Sequence, residues 1–237
     1  MCIRDSCGGA PLDPAVHDFF RAIGIPIFPG YGLTETGPVI SINTTQYARR
    51  GSVGKALPGV EIKIHEGEIF TRGPHLMSGY YKNPNLTAEL ITPDGWFRTG
   101  DVGEVDEDGY IYIRGRKKSL IVLNSGKKVH PEEVEEVLGR SMKMSAVCVV
   151  GVKHSENAGE TVTAVIVPSA QALAECPADS PELEAMLRQE VRVLAEELAP
   201  FKRPVEIVIR KEPFDMTSTK KVRRFAVMKD LSGVIAK

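Results

Sequence analysis

Apolar residues recur along this chain with two different periods, and the change from one to the other sets its organisation. Val16, Phe19, Phe20 and Ile23 fall at helical spacing, between an Asp13-Pro14 start signal and a stop at Gly24. A short apolar run at 25–28 follows and predicts a buried strand. The period drops to two at Val60, Ile62 and Ile64, with Glu66-Gly67 as a turn and Ile69 and Phe70 beyond it, so a hairpin is expected. It lies in a β-rich stretch from about 51 to 115, where a further strand at 110–113 follows the acidic turn Asp106-Glu107-Asp108-Gly109. That strand should end at a charged linker over 114–118. The first six residues suit neither helix nor strand.

A second unit is expected past the linker. Residues 120–123 are apolar, Asn124-Ser125-Gly126 makes a turn, and Pro131 opens a helix with Val134, Val137 and Leu138 inward. Strands at 146–152 and 161–167, a helix over about 181–198 and a last strand at 205–209 complete it. The expected fold is α/β with a β-rich portion, followed by a separate small α+β domain. No internal repeat or low-complexity segment interrupts it.

Composition narrows the partners. With 237 residues and 42% hydrophobic content the chain can build real cores, and 30 basic against 31 acidic residues leave a net charge of -1. No global field points to nucleic acid or a membrane, so no nucleic-acid partner is expected and peripheral membrane association is not indicated. Cys2, Cys7, Cys148 and Cys176 lack metal-ligand spacing, which suits a reducing compartment. Trp96 and Phe97 are expected in the core, and the five histidines in structural or surface roles. The sequence offers no apolar run near the roughly 20 residues that span a bilayer and no apolar signal core at its start, so a cytoplasmic location is expected.

Three polar motifs carry candidate chemistry: YGLTETG at 31–37, GWFRTGD at 95–101, and GRKK from Gly115 together with a lysine-rich segment near Lys221. No glycine-rich Ser/Thr/Lys loop that would wrap a triphosphate occurs in the chain. Tyr31 offers an aromatic face, its flanking glycines a close backbone approach, Thr34 a hydroxyl for phosphate and Glu35 a carboxylate for magnesium. The same segment also reads as a glycine-rich connecting turn at a strand end. Asp101 could accept two hydrogen bonds from a ribose diol, or be a turn carboxylate after Gly100. The run Arg114, Arg116, Lys117, Lys118 reads as a solvated surface between domains, and its place at a boundary adds a hinge reading. Lys220, Lys221, Arg223 and Arg224 suit either phosphate oxygens or solubility.

Order and spacing change that picture. CGGAPL from Cys7, then YGLTETG, GWFRTGD, GRKKSLIVLNSGKKVHPEEVE and TSTKKVRR resemble the adenylate-forming superfamily of acyl-CoA synthetases, peptide-synthetase adenylation domains and luciferases. The resemblance runs from about residue 7 to 224, and the last two motifs look most like long-chain fatty-acid CoA ligases.

It implies the C-terminal part of a large adenylation domain over 7–116, β-rich from about 46, and a mobile lid over 117–237. Gly8, Gly9, Ala10 and Pro11 would line an adenine pocket closed by Gly30, Tyr31 and Gly32. Thr34 would touch the α-phosphate and Glu35 the magnesium ion; Asp101 and Arg116 would hold the ribose, with Ile113 near the base. Lys118 takes the hinge position, Ser125 and Gly126 resemble the coenzyme A segment, and Lys221 matches the adenylating lysine. Lys220 stands where the family has glycine, which leaves it as the weaker candidate for that role.

The implied reaction joins a fatty acid to ATP and then to coenzyme A, with ATP/AMP, magnesium and coenzyme A as its small molecules. Residues 1–6 do not resemble what should precede Gly8 and read as a non-native leader. The chain is therefore expected to be a fragment, inactive alone. The rival readings are an adenylating enzyme for an aryl or amino acid, and a non-catalytic binding fragment.

Overall fold

The computed structural model describes residues 5–9, 12–155, 158–217 and 222–235. The chain forms two compact units, Met1–Lys118 and Ser119–Lys237.

In the first unit, strand β1 (Asp5–Cys7) is followed by helix α1 (Pro14–Ala22), β2 (Ile27–Tyr31), β3 (Ser41–Ile42) and β4 (Lys55–Ala56). Helix α1 starts where the sequence placed it, because the Asp13 carboxylate accepts the Ala15 and Val16 N–H groups and Pro14 needs no partner for its nitrogen. Its apolar face stays open, with Val16, Phe19 and Ile23 all exposed. Strands β1 and β2 pair parallel, and β3 and β4 extend the sheet antiparallel. The expectation that residues 1–6 form no strand is corrected for Asp5 and Ser6, which pair with Ile27 and Phe28.

A second, antiparallel sheet runs in the order β5 (Glu61–His65), β6 (Glu68–Arg72), β7 (Phe97–Val105), β8 (Ile111–Arg116), with the short helix α2 (Pro84–Leu90) before β7. The expected hairpin is present, turning at Glu66-Gly67, where both residues have positive φ. The GWFRTGD motif is largely strand within the expected β-rich stretch, with Phe97, Thr99, Asp101 and Gly103 buried alternately along β7, so Asp101 is a strand residue rather than a turn carboxylate. One expectation is corrected: the charged run begins inside β8, which carries Arg114 and Arg116. Phe97 is buried as expected, whereas Trp96 is half-buried beneath Lys63 and Arg72.

The second unit opens with the hairpin β9 (Ile121–Val122) and β10 (Lys128–Val129), then helix α3 (Pro131–Leu138) with Val134, Val137 and Leu138 buried as expected. Strands β11 (Met144–Val152) and β12 (Thr161–Pro168) pair antiparallel, and β13 (Glu206–Ile209) pairs parallel with β12. Helices α4 (Ala170–Glu175), α5 (Pro181–Leu194) and α6 (Arg224–Ile235) surround this sheet.

Val149, Val162, Ala164 and Ile166 pack under α3 and α5 on one face. Cys148, Val150, Val165 and Val167 pack with Phe214, Val227 and Leu231 on the other. Both faces are covered, which is why these strands read as continuous apolar runs rather than alternating ones. Among the described residues no helix is long and apolar enough to cross a membrane.

Candidate active site

The parallel pairing of β1 with β2 sets Cys7 opposite Pro29, so Gly8 and Gly30 come side by side at the strands' C-terminal ends. A Cβ on Gly8 would lie 3.6 Å from the Gly30 carbonyl oxygen, and one on Gly32 would overlap the Pro38 carbonyl. Bare backbone is thus concentrated where loops leave the sheet, the position at which open α/β sheets meet ligands. Gly9, with φ of 83°, belongs to the same turn. Ala10 and Pro11 lie outside the described residues.

Tyr31 closes β2 and reaches across to the second sheet, where its hydroxyl donates to Asp101 Oδ2 at 2.6 Å. Arg116, directly opposite Asp101 in the β7–β8 register, places Nε 2.7 Å from Oδ1. The Asp101 side chain is 6% exposed, so its charge is held almost out of water. Its backbone N–H donates to Thr99 Oγ1 at 3.1 Å, and Arg116 Nη1 donates to Thr99 O at 3.3 Å. Burial, reinforced by Asp101, pushes the Tyr31 phenol far above its ordinary range, so it remains a donor. One carboxylate therefore gathers residues from YGLTETG, GWFRTGD and GRKK. Ile113 sits in β8 opposite Gly103, half-buried and further along the ladder.

Thr34 and Glu35 occupy a single 3-10 turn, Thr34–Thr36, beginning just past β2. Thr34 is exposed and Glu35 half-buried, with Glu35 Oε1 accepting the Tyr80 hydroxyl at 2.8 Å. Among the described residues no group of three or more His, Cys, Asp or Glu side chains could enclose a metal. A lone carboxylate does suit magnesium, which keeps several waters and is often bound through one or two carboxylates plus substrate phosphates.

Lys118 is exposed in the 3-10 turn Lys117–Ser119, at the end of the first unit. Its neighbours in the charged run stay exposed at the unit boundary, as the solvated-surface reading expects, and each also pairs with a carboxylate. Arg114 pairs with Glu104, Arg116 with Asp101, and Lys117 reaches the buried Glu68 at 2.8 Å.

Within the second unit, Ser125 and Gly126 form an exposed turn, Gly126 with φ of 76°. Gly159 N–H donates to Asn124 Oδ1 at 2.6 Å and Glu160 N–H to Val122 O at 2.8 Å, bracing that turn from below. Lys220 and Lys221 lie outside the described residues. On either side of them, Met216 and Val222 form an antiparallel bridge and Arg223 N–H donates to Asp215 O at 2.8 Å.

Arg224 is corrected from a phosphate or solubility residue to a largely buried one. Its Nη2 meets both Glu135 oxygens at 2.6 Å, and its Nη1 lies 3.1 Å from Glu132 Oε1. Burial raises the Glu135 carboxyl, while Arg224 and the Val149 N–H oppose that rise.

Sequence reading missed Tyr80 and Glu68. Tyr80 follows Gly79 in a Gly-Tyr-Tyr run, a usable signal, whereas Glu68, a charged residue opening β6 beside the Glu66-Gly67 turn, gave none.

Residues 2–81 match the family model described as AMP-binding enzyme, and residues 133–221 match that of the AMP-binding enzyme C-terminal domain. The long-chain-fatty-acid–CoA ligase FadD15 of Mycobacterium bovis is 43% identical over 151 residues, which cover 63% of this chain and 25% of that protein. The chloroplastic long-chain-fatty-acid–[acyl-carrier-protein] ligase AEE15 of Arabidopsis thaliana is 35% identical over 250 residues, 93% of this chain and 33% of its own length. Among solved structures, the o-succinylbenzoate coenzyme A synthetase of Bacillus subtilis in complex with ATP and magnesium superposes with a TM-score of 0.78 at 26% identity. That match covers 95% of this chain and 46% of the other. The chain thus spans between a quarter and a third of the two curated relatives.

Proposed function

We propose, because this chain belongs to the AMP-binding enzyme family, that it carries the nucleotide-holding face and the lid of a ligase. That ligase activates a fatty acid with ATP and passes it to coenzyme A. In the first step a carboxylate oxygen attacks the α-phosphorus and pyrophosphate leaves; in the second the thiol sulfur attacks the acyl carbon and AMP leaves. The observation that carries the reading is the meeting of Tyr31 and Arg116 on Asp101.

Each residue has a physical task. Asp101, nearly dry and oriented by Tyr31 and Arg116, is the acceptor for the ribose hydroxyls, since a carboxylate can accept several hydrogen bonds at once. Gly8 and Gly30 leave bare backbone side by side at the strand ends, with Tyr31 and Gly32 next in the chain, and an adenine would lie against that surface. Thr34 donates to the α-phosphate. Glu35 holds the magnesium ion, which when bound offsets charge on the phosphates.

Two anions must approach in the first step, and Lys221 answers that by placing a cation between carboxylate and α-phosphate. Rotation about Lys118 would withdraw Lys221 and present the Ser125-Gly126 turn to the pantetheine arm. The names of the two curated relatives support a fatty acyl substrate. The Arabidopsis relative, which matches 93% of this chain, supports a second reading in which a carrier protein is the thiol acceptor.

Calorimetric titration of the chain with AMP and then with coenzyme A tests the proposal. Saturable binding of both is expected; binding of neither would leave a scaffold and reject it.

A further inference from the structure

Glu35 is held at its backbone from two sides. Leu33 N–H donates to Thr36 Oγ1 and the Thr36 hydroxyl donates back to Leu33 O, both at 2.9 Å, with Thr36 fully buried. Met77 N–H donates to Glu35 O at 2.9 Å. The side chain has its own tether in Tyr80, whose hydroxyl lies 2.8 Å from Oε1.

Tyr80 is fixed in turn. Its N–H donates to Thr87 Oγ1 at 2.9 Å, Thr87 donates to Asn83 O at 3.0 Å, and Asn83 caps helix α2 through Leu86 N–H at 3.1 Å. Gly79, with φ of 143°, admits this arrangement, because a Cβ there would press to 3.0 Å on the Thr87 hydroxyl. The adjacent Tyr81 is 88% exposed, so only one of the two tyrosines faces the carboxylate.

We infer that Tyr80 is a positioning residue for Glu35, occupying Oε1 so that Oε2 is presented to a divalent cation carried by the triphosphate. The inference rests on the reading of Glu35 proposed above. A neutral donor suits this task, since it fixes the carboxylate rotamer without cancelling the charge a cation needs. A cationic partner in its place would compete with the metal.

The test is a titration of the full chain with Mn2+ and ATP, read by the loss of the free Mn2+ electron paramagnetic resonance signal. Tyr80→Phe should weaken Mn2+·ATP binding about tenfold, the usual scale for a partner of a metal ligand. Metal-free AMP affinity and the melting temperature should stay at wild-type values, as should every property of Tyr81→Phe. Wild-type Mn2+·ATP binding by Tyr80→Phe, or an equal loss of AMP binding, overturns the inference. Failure of Glu35→Gln to weaken Mn2+·ATP, or absence of binding by the wild-type chain, overturns the reading of Glu35 itself. If Tyr80→Phe does not fold, Thr87→Val, which removes the acceptor for Tyr80 N–H, should give a smaller loss of the same kind, and wild-type binding would overturn the inference.

Discussion

The hydroxyl of Tyr31 donates to the carboxylate of Asp101 at 2.6 Å across 70 residues of sequence. That bond ties the end of β2 to the middle of β7. It sets a buried phenol and a buried charge in one dependent pair, each keeping the other's polar group satisfied.

Tyr31→Phe should therefore destabilise the first unit by about 1–3 kcal/mol, the usual result of stripping a partner from a buried polar group. The chain's single tryptophan, Trp96, lies in that unit, so urea unfolding followed by its fluorescence reports the change. Since the ring remains, AMP affinity should fall less than it does for changes at Asp101. An unchanged midpoint would show that the bond contributes nothing net.

Acidification should weaken the same unit through Glu68. Burial raises this carboxyl, but Lys117, Arg98 and the Gly100 N–H outweigh it, so the folded pKa lies below the ordinary value. The ionised group then stabilises the fold above the unfolded pKa of about 4.3, and that contribution is lost as pH falls through the lower folded value. Glu68→Gln should flatten this acid limb in a denaturation series from pH 6 to pH 3. An identical slope in both proteins would contradict the assignment.

The Arg224 cluster makes a prediction for the second unit. Arg224→Met leaves Glu132 and Glu135 facing each other without their cation, at a cost of about 3–5 kcal/mol. Adding Glu135→Leu should recover much of it, because the unpaired charge, rather than the missing attraction, dominates. Circular dichroism melts of the single and double variants decide between these outcomes; a double variant no more stable than the single one would contradict this account.

Cys148 supplies a reactivity test. It is 1% exposed, and burial pushes its thiol up to about 12, with Glu135 adding to the rise. Iodoacetamide at pH 8 should leave Cys148 unmodified in the native chain and label it only in urea, as peptide mapping would show. Rapid native labelling would mean that the sheet face under α6 opens readily.

How much of this was legible depends on where each residue's partner lies. Helix α1, the hairpin at Glu66-Gly67 and the inward face of α3 were readable because their signals are local: a cap, a turn and a period. Strand β7 was not, because its buried register runs Phe97, Thr99, Asp101, Gly103, and a charge and a glycine at buried positions hide the alternation. Arg224 was misread for a related reason. A run of basic residues looks solvated unless one knows of Glu135, 89 residues earlier.

The three motifs were visible as strings, yet their meeting on Asp101 follows from β2 ending beside β7 and from the β7–β8 register, neither of which the strings contain. Tyr80 went unread because its partner Glu35 lies 45 residues away.

The central claim is that Asp101 anchors the ribose of a bound nucleotide, and the direct measurement is calorimetric titration of AMP into wild-type and Asp101→Asn chains. Losing a charged acceptor should weaken AMP about tenfold or more, with the asparagine retaining shape and the Tyr31 contact. Equal affinities in two equally folded proteins would contradict the account.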